Sequence, residues 1–197
     1  TGPAAARTAT GIDRAIAEIT RTGQVVRRLR DFIRKGRTER VEQPIAKVIE
    51  EAVALGLVGA GDLGVKVRIS IERNLPMIVI DRVQIQQVLT NLIRNAIEAM
   101  AESDAPQLRI EVRPAPGAIE ISVADTGPGL PPEIERNLFK PFFSTKSDGM
   151  GIGLSICKTI VESYGGKLAV ESEPGWGATF RIVLPLVPGE ANDDRRR

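Results

Sequence analysis

Histidine is absent from the 197 residues of the sequence, and cysteine occurs once, as Cys157. Without histidine, this chain supplies no imidazole for catalysis and lacks the commonest ligand of zinc sites. A single cysteine excludes an internal disulfide and is typical of a reducing compartment, so we expect a cytoplasmic protein. Because Cys157 lies in an apolar helical stretch, it is interpreted as a small core residue and not as a reactive thiol.

Long apolar runs are missing as well. No segment approaches the roughly 20 apolar residues needed to cross a bilayer, and no signal peptide opens the chain, so no membrane segment is predicted. The chain begins with Thr1 instead of methionine, from which we expect it to be a piece of a longer protein. With 42% apolar and 26% charged residues, its composition is that of a globular protein.

Acidic residues are scarce at the beginning of the chain. Residues 1–40 hold ten Lys or Arg against four Asp or Glu, whereas the remaining residues carry more acidic than basic side chains. Apolar residues recur at alternating steps of four and three over 11–35, which predicts a helix that packs on a partner helix, on a second chain or on the following domain. The basic side chains are interpreted as the solvated face of this helix, so no nucleic-acid partner is predicted.

Helices and strands are mixed along the rest of the chain, which predicts an α+β fold with one sheet covered by helices. Asp81 and Gln84 are spaced as the first and last residues of a capping box at the start of the second helix. The predicted helices are 45–57, 82–101 and 151–164. The predicted strands are 64–72, 77–81, 108–114, 118–125, 167–173 and 178–186.

Polar side chains form a narrow stripe on the otherwise apolar helix predicted over 82–101. Steps of four, four and three residues place them on one helical face: Gln87, Asn91, Asn95 and Glu98. Amide and carboxylate oxygens are ligands that Mg²⁺ accepts beside phosphate oxygens and water. The stripe therefore favours a face towards a metal and a phosphate chain, although paired asparagines also bridge ordinary helices.

The segment "DTGPGL" follows directly on a predicted strand, so the strand places Asp125 at its own end. Gly127 and Gly129 let the backbone approach a flat ligand closely. An aspartate that accepts a hydrogen bond from an exocyclic amine selects adenine over guanine. The alternative is a simple Gly-Pro turn that ends a hairpin.

The segment "GMGIGLSI" places three alternating glycines before an apolar helix: Gly149, Gly151 and Gly153. Such a loop directs backbone N–H groups at an anion, and the helix dipole favours negative charge there. A dinucleotide-binding βαβ motif is excluded by the spacing, and a P-loop by the absence of its lysine-containing signature.

Taken in order, "NLIRNA", "DTGPG", "LFKPFFSTK", "GMGIGLSI" and "GWGATFRIVLP" closely resemble the catalytic, ATP-binding domain of two-component sensor histidine kinases. The resemblance covers about residues 41–187, and its wording is nearest to rhizobial oxygen-sensor and nitrogen-regulation kinases. It implies a two-layer α/β sandwich of the gyrase, heat-shock chaperone and kinase type, with a mixed, mostly antiparallel sheet. It also implies three parts: the second helix of a dimerisation and phosphotransfer hairpin over 1–40, the catalytic domain over 41–188 and a flexible tail over 189–197.

The resemblance assigns ATP and Mg²⁺ as cofactors and gives roles to individual residues. Asn95 is the expected Mg²⁺ ligand, and Asn91 stands where ATP-hydrolysing relatives carry a glutamate base, so both are candidate catalytic and nucleotide-binding residues. Asp125 is expected to bind the adenine amine, with Thr179 nearby through water. Lys146 is expected to neutralise phosphate and is the third candidate catalytic residue. The other expected contacts are the adenine pocket (Gly127 and Gly129), the lid anchors (Phe139, Phe142 and Phe143) and the triphosphate loop with the residue that follows it (Gly149, Gly151, Gly153 and Leu154).

The resemblance also implies partners that this chain lacks. The family transfers the γ-phosphoryl group to a histidine on the first hairpin helix and then to an aspartate of a response-regulator receiver domain, and its intact members dimerise through the hairpin. Because this chain has no histidine, we expect the phosphoacceptor to lie outside it and no self-phosphorylation by this chain alone. The alternatives are a degenerate, histidine-free scaffold, an ATPase of the same fold and a serine kinase of the same fold.

Overall fold

The computed structural model of the chain describes residues 39–58, 64–145 and 151–187. All of them belong to the unit Glu39–Arg197. The helix predicted over 11–35 and the tail predicted over 189–197 lie outside the described residues, as do Lys146 and Gly149.

Short and long elements alternate along the described chain. In order they are β1 (Val41–Gln43), α1 (Ile45–Gly56), β2 (Lys66–Ile71), β3 (Ile78–Ile80), α2 (Arg82–Ala99), β4 (Gln107–Ala115), β5 (Ala118–Asp125), α3 (Pro132–Glu135), α4 (Gly153–Ser163), β6 (Lys167–Glu173) and β7 (Gly177–Pro185).

Five strands form the main sheet in the order β2-β4-β5-β7-β6, and β1 pairs with β3 in a separate ribbon. The β2–β4 pair is parallel, because the chain crosses over through β3 and α2 between these strands, and the other three pairs are antiparallel. Side chains of one sheet face and of α1, α2 and α4 share a single apolar core. The predicted α+β sandwich with a mixed, mostly antiparallel sheet is therefore confirmed.

The opposite face of the sheet carries charged side chains. Arg181 on β7 pairs with Glu120 on β5 and Glu171 on β6. Along β5 and β7, successive side chains alternate between the core face and this outward face of the sheet. Within the described ranges, no helix is both long enough and apolar enough to span a bilayer.

Tyr164, directly after α4, joins the ends of α2 and α4. Its side chain is 1% exposed, and its hydroxyl accepts a hydrogen bond from the Asp81 N–H (3.1 Å) and donates one to Gln84 Oε1 (2.8 Å). Asp81 caps α2 as predicted, since Oδ1 accepts from the Val83 and Gln84 N–H groups. The second half of the predicted capping box is wrong, because the buried tyrosine binds both the Gln84 side chain and the Asp81 N–H.

Replacement of Tyr164 by phenylalanine leaves the Asp81 N–H without its acceptor in a partly buried position. We expect the free energy of unfolding, measured by chemical denaturation, to fall by about 1–3 kcal/mol. Thr159→Val is the matched control, because it removes a hydroxyl that donates to the Ser155 carbonyl at an exposed helical position. Equal losses in the two variants would show that the buried hydroxyl has no special role.

Candidate nucleotide-binding site

Asp125 is a buried carboxylate at the end of β5, with 7% of its surface exposed. Its Oδ1 accepts hydrogen bonds from the backbone N–H groups of Gly127 (2.9 Å) and Ala178 (3.3 Å). Among the described residues, Oδ2 has no hydrogen-bond partner, and no fully buried side-chain oxygen there lacks one. Oδ2 is therefore accessible from outside the core and remains available to accept a hydrogen bond from a ligand.

Burial sets the electrostatics of this carboxylate. Desolvation raises the pKa of Asp125 above its ordinary value of 3.8, and the hydrogen bonds from Gly127 and Ala178 offset part of that effect. A ligand that donates a hydrogen bond to Oδ2 would stabilise the ionised carboxylate, as the Gly127 and Ala178 N–H groups do.

The loop after Asp125 is fastened to the turn between β6 and β7. The Gly175 N–H donates to the Pro128 carbonyl (2.7 Å), and Ser172 Oγ accepts from the Leu130 N–H (2.8 Å). Gly127 packs between the Asp125 carboxylate and α2, since an added Cβ would lie 2.9 Å from Asp125 Oδ1. A Cβ on Gly129 would overlap the backbone of β6. Both glycines therefore keep this wall of the site close to Asp125.

Gly177 brings β7 against the end of β5. Its φ of +92° lies in the region that favours glycine, and a Cβ there would overlap the carbonyl oxygen of Asp125. The position of Asp125 therefore depends on the absence of a side chain at residue 177.

Helix α2, whose last residue Ala99 lies against Gly127 of the loop after Asp125, carries the polar stripe. Asn91 and Asn95 are half-buried, whereas Gln87 and Glu98, at the two ends of the stripe, are exposed. Asn91 Nδ2 donates to Cys157 Sγ (3.1 Å). The Asn95 amide makes no hydrogen bond with any residue that the structure describes, which leaves it available as a ligand.

The first turn of α4 lies against Asn91. A Cβ on Gly153 would sit 3.0 Å from both the Oδ1 and the Nδ2 atoms of Asn91, which is tighter than ordinary packing. Cys157, one turn later on α4, is buried, and burial raises the pKa of its thiol to about 12. The prediction of a core position for Cys157 is confirmed, and its contact with Asn91 was not anticipated.

Gly151 closes the base of the loop that precedes α4. Its φ is +64°, a Cβ on it would overlap the Phe143 backbone, and its carbonyl accepts from the Phe142 N–H (3.0 Å). The three phenylalanines predicted to anchor the lid differ in how deeply they are buried. Phe139 packs partly buried against the core and Phe143 is half-buried, but Phe142 is 80% exposed.

The remaining predicted residues are divided between the two sides of the sheet. Leu154 packs against the core beside α4. Thr179 pairs with Ala124 on β5, and both lie on the sheet face opposite to Asp125. The structure therefore does not bring Thr179 together with Asp125; the Ala178 N–H makes the contact from β7 instead.

Sequence comparison identifies the family to which the chain belongs. The family model for histidine kinase-, DNA gyrase B- and HSP90-like ATPases matches residues 80–188, from β3 to the end of the described chain. The chain belongs to this ATPase family.

Several relatives of the chain are sensor proteins and sensor histidine kinases. Sensor protein FixL of Bradyrhizobium diazoefficiens is 48% identical over 175 residues, which cover 88% of this chain and 35% of that protein. This chain thus spans about a third of that curated relative. The described part of the chain is an ATP-binding catalytic domain of the sensor histidine kinase type.

Solved structures of histidine kinases share the fold. The catalytic domain of histidine kinase ThkA has a TM-score of 0.69 and 32% identity, over 76% of this chain and 97% of that one. A second structure, histidine kinase ThkA in complex with the response regulator protein TrrA, has a TM-score of 0.73 and 26% identity, over 90% of this chain and 51% of that one.

The residues of the candidate site fit a nucleotide-held metal better than a metal held by protein alone. Among the described residues, no group of three or more His, Cys, Asp or Glu is placed to hold a metal ion. One available donor is the Asn95 amide oxygen, which suits a hard cation that takes its other ligands from phosphate and water.

Proposed function

We propose that this chain binds ATP with Mg²⁺ and serves as the phosphoryl donor to a histidine that lies outside it. In this proposal Asp125 Oδ2 accepts from the adenine amine, and the glycine walls formed by Gly127 and Gly129 hold the base. The free N–H groups at the start of α4 bind the phosphates, with Gly151 shaping the approach. Lys146 and Gly149 complete the triphosphate contacts by analogy with the family motif.

Asn95 is proposed to hold the metal through its amide oxygen. Mg²⁺ supplies charge neutralisation at the β- and γ-phosphates when it is bound. The protein contributes positioning, because the site is built on α2, α4 and the end of β5, which share one packed core.

The amide at position 91 is the observation that favours phosphoryl transfer to a protein over hydrolysis of ATP. An amide does not take a proton from water, and the Asn91 Nδ2 is already committed to Cys157. The site therefore lacks the general base that a water-attacking ATPase would need at this position. This favours attack by a nucleophile from another protein segment.

A response-regulator partner and a dimeric state are proposed by analogy with the family. The similar kinase ThkA has been solved in complex with the response regulator TrrA. By analogy, a receiver domain is the proposed final acceptor of the phosphoryl group, and the intact protein is proposed to dimerise through the helical hairpin.

The experiment mixes this chain with a separately purified, histidine-bearing hairpin and γ-labelled ATP. Acid-labile label on the hairpin is the expected result. We expect Asn95→Ala to reduce the Mg²⁺-dependent affinity for a non-hydrolysable ATP analogue about 10-fold in calorimetry, with a parallel loss of transfer. Gln87→Ala, on the same helix and exposed, is the control with no expected change.

Two outcomes contradict the proposed transfer to histidine, and a third removes the metal assignment. Label released as inorganic phosphate without transfer identifies an ATPase, and acid-stable label on serine identifies a serine kinase. Unchanged affinity in Asn95→Ala, with and without Mg²⁺, removes the metal assignment.

A further inference from the structure

Two residues one turn apart on α4 hold the amide of Asn91. Gly153 faces the terminal edge of the amide, since an added Cβ would lie 3.0 Å from both Oδ1 and Nδ2 and 3.4 Å from Cγ of Asn91, and Cys157 Sγ accepts a hydrogen bond from Nδ2 at 3.1 Å. Gly153 and Cys157 are four residues apart and so share a helical face. The contact joins residues 66 positions apart in sequence and fixes α2 against α4 beside the proposed phosphate site.

The thiol is also directed by a second contact. Cys157 Sγ lies 3.9 Å from the buried carbonyl oxygen of Val88, on the turn of α2 that precedes Asn91. The thiol hydrogen donates to this carbonyl, which leaves a sulfur lone pair for Asn91 Nδ2. Because the pKa of the thiol is about 12, it stays protonated at neutral pH and keeps this direction of donation.

This chain of hydrogen bonds determines which way the Asn91 amide faces. With Nδ2 turned to the sulfur, Oδ1 is the remaining polar atom, and among the described residues it has no hydrogen-bond partner. The absence of fully buried, unpartnered oxygens in the described chain means that Oδ1 reaches the outside of the core. Reversal of the amide would place a donor where this orientation places an acceptor.

We propose that Cys157 is a positioning residue that orients Asn91 so that Oδ1 faces the phosphate side of the site as an acceptor for metal-bound water. This inference rests on the proposed function, since it assumes a hydrated Mg²⁺ beside the phosphates. It assigns a role to a residue that makes no contact with the nucleotide itself. It also explains the tight packing at Gly153, because a side chain there would displace the oriented amide.

Three substitutions at one position separate orientation from packing. Cys157→Val keeps an apolar side chain of similar size but removes the acceptor, Cys157→Ala removes both volume and acceptor, and Cys157→Ser restores a hydroxyl that donates and accepts. Val161→Ala is the matched control, because Val161 is a fully buried residue of the same helix.

Calorimetry with a non-hydrolysable ATP analogue, with and without Mg²⁺, gives the binding test. In Mg²⁺ we expect Cys157→Val to weaken binding about 5-fold, roughly the contribution of one hydrogen bond, and Cys157→Ser to restore affinity to within about 2-fold of wild type. Without Mg²⁺, wild type, Cys157→Val and Cys157→Ser are expected to bind the analogue with the same affinity. Val161→Ala is expected to lower the melting temperature without changing the Mg²⁺ dependence.

A double-mutant cycle decides whether Cys157 acts through Asn91. If it does, Cys157→Val has no further effect in an Asn91→Ala background. An undiminished effect in that background, or no effect of Cys157→Val in wild type, overturns the proposal. Failure of wild type to bind the analogue at all would instead overturn the proposed function.

The metal-free and nucleotide-free wild-type protein provides a measurement that does not depend on folding of the variants. The side-chain amide hydrogens of Asn91, followed by nuclear magnetic resonance, are expected to exchange about as slowly as those of Asn137, whose Nδ2 donates to the Glu133 carbonyl. The exposed Asn74 is the fast-exchanging reference. Exchange of Asn91 as fast as that of Asn74 would show that the amide is not held.

Discussion

The Asp125→Asn variant is expected to fold normally and to lose affinity for ATP analogues about 100-fold. The asparagine can retain an oxygen for the Gly127 and Ala178 N–H groups, so the loop is held as before. It places an NH₂ group where Oδ2 stands, and this donor then faces the donor amine of adenine. The lost charge-assisted hydrogen bond and the two opposed donors together are expected to reduce the binding free energy by about 2.7 kcal/mol, which corresponds to an affinity about 100-fold lower.

Calorimetry measures the affinity, and thermal melting confirms that the variant is folded. The matched control is Asp104→Asn, since Asp104 is an exposed carboxylate outside the site. A variant at position 125 that binds as tightly as wild type would show that Asp125 does not contact the base.

The raised pKa of Asp125 also fixes the sign of a pH effect. Burial favours the protonated carboxyl in the folded state. The contribution of Asp125 to the free energy of unfolding is therefore complete below the ordinary pKa of 3.8 and is lost as pH rises through the folded-state pKa. The ionised form therefore costs stability at neutral pH. Relative to Asp125→Asn, wild type is expected to gain stability on acidification, which chemical denaturation at several pH values will measure.

Gly177→Ala is expected to reduce the free energy of unfolding by about 4 kcal/mol and to abolish nucleotide binding. The alanine must adopt a φ near +92°, which costs about 1–2 kcal/mol, and its Cβ overlaps the Asp125 carbonyl oxygen. Relief of that overlap requires β7 to move away from the end of β5. The movement would carry the Ala178 N–H away from the carboxylate that it positions.

The turn beside Gly177 offers a control with the same backbone strain and no overlap. Gly175 has a φ of +85°, and nothing lies within 4 Å of an added Cβ. Gly175→Ala is therefore expected to cost only the strain, about 1–2 kcal/mol, and to keep nucleotide affinity. Similar losses in the two variants, measured by chemical denaturation, would show that the close approach of Gly177 to Asp125 is unimportant.

The long periodic elements could be predicted from sequence, whereas among the short elements only β3, predicted over 77–81 and observed as Ile78–Ile80, was predicted. The helix predicted over 82–101 is observed as Arg82–Ala99, and the strand predicted over 118–125 is observed as Ala118–Asp125. Each contains several repeats of its hydrophobic period. By contrast, β1 has three residues and α3 has four, so neither contains enough residues to show a period.

The parts of the site that come from one stretch of chain were also accessible to prediction. Asp125 and its glycines stand together in sequence, so the end of a strand and the loop that follows could be recognised together. Ser172 carries a weaker signal, a hydroxyl on the inward-facing side of β6 beside Leu168 and Val170, and was not recognised. Its bonds to the Leu130 N–H and the Gly177 carbonyl depend on how the hairpin meets the loop.

Contacts between elements that are distant in sequence could not be predicted without the structure. The Asn91–Cys157 bond depends on the rotation of α4 against α2, which neither helix determines alone. Thr179 shows the same limit for strands. The motif suggested a place near the adenine, but the register of β7 against β5 puts this side chain on the other face of the sheet.

A crystal structure of this chain with a non-hydrolysable ATP analogue and Mg²⁺ is the most direct test of the central claim. The account predicts the adenine amine within hydrogen-bonding distance of Asp125 Oδ2, and the Asn95 amide oxygen bound to a metal that also contacts phosphate oxygens. An adenine bound away from Asp125, or phosphates and metal remote from Asn95, would contradict it.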